Sequence, residues 1–273
     1  MKKAGIVLTS LLLVVGLVTG CGASPAAPTT SSTSSSAAVP ADVKAIKDRG
    51  VLKVGVKVDV PKFGYKDPST GKVDGFEIDL AKAIAKKIIG TETIETTAVT
   101  AKTRGPVLDS GDVDMDISTF TITEERKKSY NFSDSYFTDG VRLLVKKSSG
   151  IKSLKDLDGK KIGVAQSATS KKAVQAEADK VGAKVSFLEF GTYPEIKTAL
   201  DSGRVDCFSV DGSILFGYLD DSTTILPDSF SPQEYGVASK KGNDGIAKVV
   251  NDTIAEMKKS GDLDKLIQKW GLK

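Results

Sequence analysis

GKKIGVAQSATSKKAVQAEADKVGAKVSFLEFGTYPEIKTALDSGRVDCFSV, residues 159–210, alternates two kinds of periodicity. Lys161 to Ala165, Lys184 to Phe190 and Val205 to Val210 are short runs of strand character, whereas Ser170 to Val181 and Pro194 to Ser202 carry apolar residues at helical spacing. Pro194 suits a first helical turn, where its missing N–H is no loss, and Gly203 suits a helix end. Such alternation predicts a parallel sheet covered by helices. The same pattern stands upstream: Val51 to Val58 then Glu77 to Ile89, Ile94 to Val99 then Thr103 to Ser110, and Val113 to Ser118. Two α/β units are implied. After Gly242, the helical patterns Asp244 to Lys259 and Leu263 to Trp270 have no third sheet to cover, so they are expected to pack on the first unit. Ligands of open α/β sheets bind beyond the carboxyl ends of strands, so two facing units bring the Ser118 and Val210 strand ends to a shared cleft.

The N-terminal region carries different information. Lys2 and Lys3 precede an apolar run from Ile6 to Val18, too short for a membrane span and fitted to a signal peptide over residues 1–20. Val18-Thr19-Gly20-Cys21 resembles the lipobox of bacterial lipoproteins, which implies lipidation of Cys21 and a mature, extracytoplasmic chain anchored to the cell membrane. Residues 21–40 are almost all Ala, Ser, Thr and Pro, a composition that cannot repay ordering and reads as a tether. The formal net charge of +4 falls to +2 once Lys2 and Lys3 are removed, which argues against a nucleic-acid partner. The chain has no histidine, and beyond Cys21 only Cys207 remains. Metal sites, cofactor chemistry and Ser-His catalysis are therefore not expected, and Cys207, in an apolar run, is expected to be a buried structural thiol.

The run GFEIDLAKAIA, residues 75–85, resembles the signature of family 3 bacterial solute-binding proteins, the polar amino acid receptors of ABC importers. The resemblance continues through residues 108–137, 159–173, 202–219 and 235–242, and covers nearly all of residues 45–271. GVKVDVPKFGY (55–65) and AVTAKTRGPVLDSG (98–111) look closest to the aspartate/glutamate-binding branch, which includes surface adhesins. The resemblance implies a two-lobed periplasmic-binding-protein fold of type II, with two crossover strands forming a hinge. Val141 to Lys146 and Tyr235 to Lys240 match those strands, giving a first lobe of residues 41–139 and 243–273 and a second of 140–242. A monomer that hands its ligand to a permease is implied.

A free amino acid needs an anion clamp and a cation acceptor at a fixed separation, and Arg126 and Asp211 resemble that pair. Arg126 would hold the α-carboxylate, with Ser118, Thr119 and Thr121 completing the shell. Asp211 ends a strand and could accept the ammonium, although its position also suits a cap on a helix starting at Ser213. Across the cleft, Ala168, Thr169 and Ser170 open a helix whose free N–H groups suit a carboxylate, and Thr169 resembles the second-lobe contact. In the acidic-ligand branch, residues matching Lys57, Arg104 and Tyr193 complete the specificity, so aspartate or glutamate is the expected ligand, with glutamine the alternative. Ala101 stands where the wider family stacks an aromatic ring, leaving Phe63, Tyr65 and Phe120 as candidate walls. Dehydratases share this fold, but no spare proton donor is apparent beside Asp211, and an enzyme is not expected.

Overall fold

A computed structural model describes residues 38–272. The expected signal segment 1–20, the expected lipidation site Cys21 and the expected tether as far as residue 37 lie outside them. Each lobe is built on its own sheet. In the first, the order is Ile94–Ala98, Leu52–Val56, Met115–Ile117, Ala238–Lys240, Tyr130–Phe132. Leu52–Val56 runs parallel to both its neighbours, while Ala238–Lys240 is antiparallel to both of its own. The second sheet is ordered Ser186–Phe190, Lys161–Ala165, Cys207–Asp211, Phe137–Lys146, Thr223–Ile225, with Phe230–Tyr235 pairing along the long strand Phe137–Lys146. The fold is thus α/β and two-lobed.

Helix Phe76–Ile89 shows why the first sheet is covered. Phe76, Leu80, Ala81, Ile84, Ala85 and Ile88 recur at helical spacing and are all buried. Gly75 precedes it at φ 150°, and a Cβ there would strike the Phe63 carbonyl, so only glycine lets the chain turn so close to its own backbone. Gly90, left-handed at φ 78°, ends the helix. Helices Asp244–Ser260 and Asp262–Lys269 lie against Phe76–Ile89. They are pinned by Asp42 Oδ2, which accepts from the Ile246 N–H (2.9 Å), and by Asp79 Oδ2, which accepts from Trp270 Nε1 (2.9 Å).

The chain passes between the sheets twice, side by side. On the way out, Ser133 N donates to the Val237 carbonyl and Tyr136 N to that of Tyr235, both at 2.9 Å. Phe137 pairs with Tyr235 in register, their rings stacked at 5.9 Å. The returning segment, expected as one strand from Tyr235 to Lys240, is broken at Gly236–Val237: the second sheet's last strand ends at Tyr235, and Ala238–Lys240 pairs with first-sheet strands. A small antiparallel sheet of Asp59–Val60, Gly64–Lys66 and Val73–Asp74, absent from the sequence reading, lies beyond the first strand.

Candidate ligand-binding site

The carboxyl ends of both sheets meet. From the first lobe, Lys57 follows strand Leu52–Val56, Ser118 and Thr119 follow Met115–Ile117, and Arg104 opens helix Arg104–Ser110 beyond Ile94–Ala98. From the second, Asp211 closes strand Cys207–Asp211, Ser167 to Ser170 follow Lys161–Ala165, and Tyr193 follows Ser186–Phe190. Lys57, only 2% exposed, stands with its Nζ 4.7 Å from the centre of the Tyr193 ring. A lysine buried this deeply is not the surface residue that lysine usually is, and desolvation lowers its pKa to about 8.

Two arginines pack on one aromatic ring. The guanidinium carbons of Arg104 and Arg126 lie 3.8 and 4.8 Å from the centre of the Phe120 ring, so Phe120 is the wall, whereas Phe63 belongs to the core and Tyr65 faces solvent. Arg104 Nη1 donates to the carbonyls of Ser118 (2.9 Å) and Thr119 (3.3 Å). Arg126 Nη1 donates to the Thr121 carbonyl (2.7 Å), and its Nη2 crosses to the second lobe to reach the Ser167 carbonyl (3.0 Å). Thr123 caps the short helix Glu124–Ser129 by accepting from the Arg126 N–H (3.1 Å), which fixes where that side chain starts.

Asp211 does not cap the following helix. Its Oδ2 accepts the Tyr235 hydroxyl (2.6 Å), and the Ser213 N–H goes instead to Asp139 Oδ2 (2.7 Å). The carboxylate is thereby aimed into the cleft. Thr169 is turned aside: its hydroxyl donates to Oε1 of the buried Gln233 (2.7 Å). The Ser118 hydroxyl likewise donates to Asp116 Oδ1 (2.5 Å), and that of Thr119 to the Ser118 carbonyl (2.7 Å). Thr119, at φ 50°, holds a left-handed backbone that a β-branched residue seldom adopts, and its N–H donates to Glu77 Oε1 (2.6 Å). Further bonds join the lobes: Asp59 Oδ2 accepts the Tyr193 N–H (3.3 Å), and the Asp59 carbonyl accepts the Tyr218 hydroxyl.

Glu77 and Asp116, both fully buried, and Asp59, Tyr136, Gln233 and Tyr235 were not singled out from the sequence. Among the described residues the buried side-chain polar atoms without a partner are Asp59 Oδ1, Glu77 Oε2, Arg104 Nε, Asp116 Oδ2, Ser170 Oγ, Asp211 Oδ1 and Ser239 Oγ. All but the last belong to this cleft or its floor. Buried polar atoms are ordinarily paired, so a concentration of unpaired donors and acceptors marks a place built for a polar guest. Cys207 is a buried free thiol at the opposite end of the strand that Asp211 closes.

Burial raises the carboxyls of Glu77 to about 7, Asp116 to about 6 and Asp211 to about 7. Carboxyls that hold protons more tightly folded than unfolded stabilise the fold fully only below their unfolded values near 4, and that stability is lost as pH rises through 6 to 7. The unfolding midpoint of ligand-free protein is therefore expected to rise as the buffer is taken from pH 8 to pH 5. A midpoint that fell over that interval in scanning calorimetry would show the cluster to be stabilised as anions.

The sequence profile of the bacterial extracellular solute-binding proteins, family 3, matches residues 52–273. The glutamine-binding protein of Geobacillus stearothermophilus is 46% identical over 212 residues, 76% of this chain and 79% of its own. The ABC transporter glutamine-binding protein GlnH of Bacillus subtilis is 43% identical over 230 residues, 83% of each chain. An ancestral arginine-binding protein solved with arginine superposes with a TM-score of 0.74 at 42% identity, over 82% of this chain and 99% of its own. An ancestral arginine-binding protein solved with glutamine gives 0.73 and 41% over the same shares.

Proposed function

From the membership of this chain in the bacterial extracellular solute-binding proteins of family 3, we propose that it captures glutamine between its lobes and delivers it to an ABC importer. The observation that carries the amino-acid reading is the opposed pair Arg126 and Asp211. They come from different lobes, and each carries polar atoms directed at the cleft. Arg126 has five N–H donors and spends some on carbonyls, leaving others on the same guanidinium for an α-carboxylate. Asp211 Oδ1, unpaired, is placed to accept the ammonium. Ser118, Thr119, Thr121 and Thr169 serve chiefly by shaping the backbone around that pair, and Tyr193 and Phe120 serve as walls.

The acidic ligand expected from Lys57 and Arg104 gives way to the amide on two grounds. The relatives named above are glutamine-binding proteins at 43% and 46% identity. A side-chain amide offers both a donor and an acceptor, which suits a floor that holds carboxylates as well as cations. Lipidation at Cys21 would keep the receptor beside its permease.

Calorimetric titration of unfolded and refolded protein with glutamine, glutamate, aspartate, asparagine and arginine tests this. Glutamine is expected to bind most tightly. Tighter binding of glutamate or aspartate would overturn the amide assignment and leave the receptor standing, whereas binding of none of the five would remove both.

A further inference from the structure

Beneath the cleft, Asp116 is a carboxylate that neither half of the amino-acid clamp uses. We propose that Asp116 is a specificity-determining residue, whose charge offsets Arg104 from inside the first lobe and so sets the site to take a side-chain amide in preference to the matching carboxylate. The proposal deepens the reading of the cleft as a glutamine site and rests on it.

Asp116 lies on strand Met115–Ile117, in register with Gly55 on the neighbouring strand. The absence of a side chain at Gly55 makes room for it, because a Cβ there would come within 2.6 Å of Asp116 Oδ2 and 3.4 Å of Val99. The aspartate is fully buried, and only one of its oxygens is paired, Oδ1 with the Ser118 hydroxyl at 2.5 Å. Arg104 is tied to the same turn through the Ser118 carbonyl at 2.9 Å, and its Nε is unpaired as well. Of all the charges around it, Arg104 feels that of Asp116 most strongly, and Lys57 feels it too, after Asp59 and Arg104.

A carboxylate with one free oxygen, shut away from water, is too costly a residue for a strand interior to carry for packing alone. Its effect on a ligand follows from Coulomb's law in a poorly screened site. A side-chain carboxylate arriving at Arg104 and Lys57 would be attracted by two cations and opposed by the Asp116 carboxylate beneath them. An amide, carrying no net charge, meets the same dipolar partners without that opposition. Selectivity is a difference between two affinities, and a buried anion under the specificity pocket acts on the unwanted member of the pair.

Asp116→Asn keeps the shape and removes the charge. Titrated with glutamine and glutamate, the variant is expected to shift the ratio of the two dissociation constants towards glutamate by about tenfold or more, with glutamine changed only a few-fold. A purely structural role predicts that both ligands weaken together. An unchanged ratio in a folded variant would therefore overturn the proposal, whatever the absolute affinities. Should the asparagine variant fail to fold, Asp116→Val, apolar and well suited to a strand, reads the same ratio. A preference for glutamate in the unmodified protein would defeat the glutamine reading, while the change in ratio between proteins would still report on Asp116 by itself.

Discussion

Arg126→Ala is expected to lower the affinity for every α-amino acid at least about a hundredfold, equivalent to ~3 kcal/mol or more. The carboxylate of the ligand would be left desolvated without its guanidinium fork, and the cross-lobe bond to the Ser167 carbonyl would go as well. The two losses fall on ligands of any side chain alike, so relative preferences among amino acids should survive. Arg126→Lys would restore the charge without the planar fork and should recover only part of the loss. Isothermal titration of the folded variants decides the matter, and near-normal glutamine binding by Arg126→Ala would remove the guanidinium from the clamp.

Asp211→Asn should cost a similar factor, and its signature is more particular. The change is nearly isosteric, keeps an acceptor for the Tyr235 hydroxyl and deletes only the charge that meets the ammonium. Truncating one member of a buried, hydrogen-bonded charge pair costs about 2–5 kcal/mol. The desamino analogue of glutamine has no ammonium to lose, so the wild-type preference for glutamine over that analogue should collapse in the variant. Retention of that preference would place the ammonium elsewhere. Tyr235→Phe, which removes the bond orienting Asp211, is expected to act in the same direction by about tenfold.

The second lobe was the more legible half, for reasons that lie in its punctuation. Strand Lys161–Ala165 and helix Ser170–Val181 fall where the periodicity puts them, since Gly182 and Gly203, left-handed at φ 72° and 75°, end their segments sharply. Helix Tyr193–Asp201 starts with a capping box of Thr192 and Glu195 that spans Pro194. The small sheet of Asp59–Val60, Gly64–Lys66 and Val73–Asp74 could not be read this way, because strands of two or three residues are too short to show a period. Arg126, Asp211, Lys57, Arg104 and Tyr193 are singled out only through resemblance, since each alone has a bland explanation. Glu77 and Asp116 were missed because a carboxylate in an apolar run is read by default as the exposed member of the pattern. The signal available was DVDMDIS, residues 112–118, where strand alternation puts Asp114 and Asp116 on one face while Asp116 belongs to a strand buried along its whole length.

Asp59 stands in the first lobe yet receives the backbone of Tyr193 and the hydroxyl of Tyr218 from the second, and Arg126 reaches across to Ser167. None of these bonds involves a guest. Closure held in part by the protein's own contacts has a kinetic consequence: the dwell time of a captured molecule is set by how long those bonds persist, as well as by its own grip on the cleft. Every increment of self-closure also lowers the free energy a guest must supply to shut the lobes, raising apparent affinity without a new contact to the guest. The same increment must be undone before release, so a transporter that accepts cargo from this chain has to break Asp59 away from Tyr193 and Tyr218 before anything leaves the cleft.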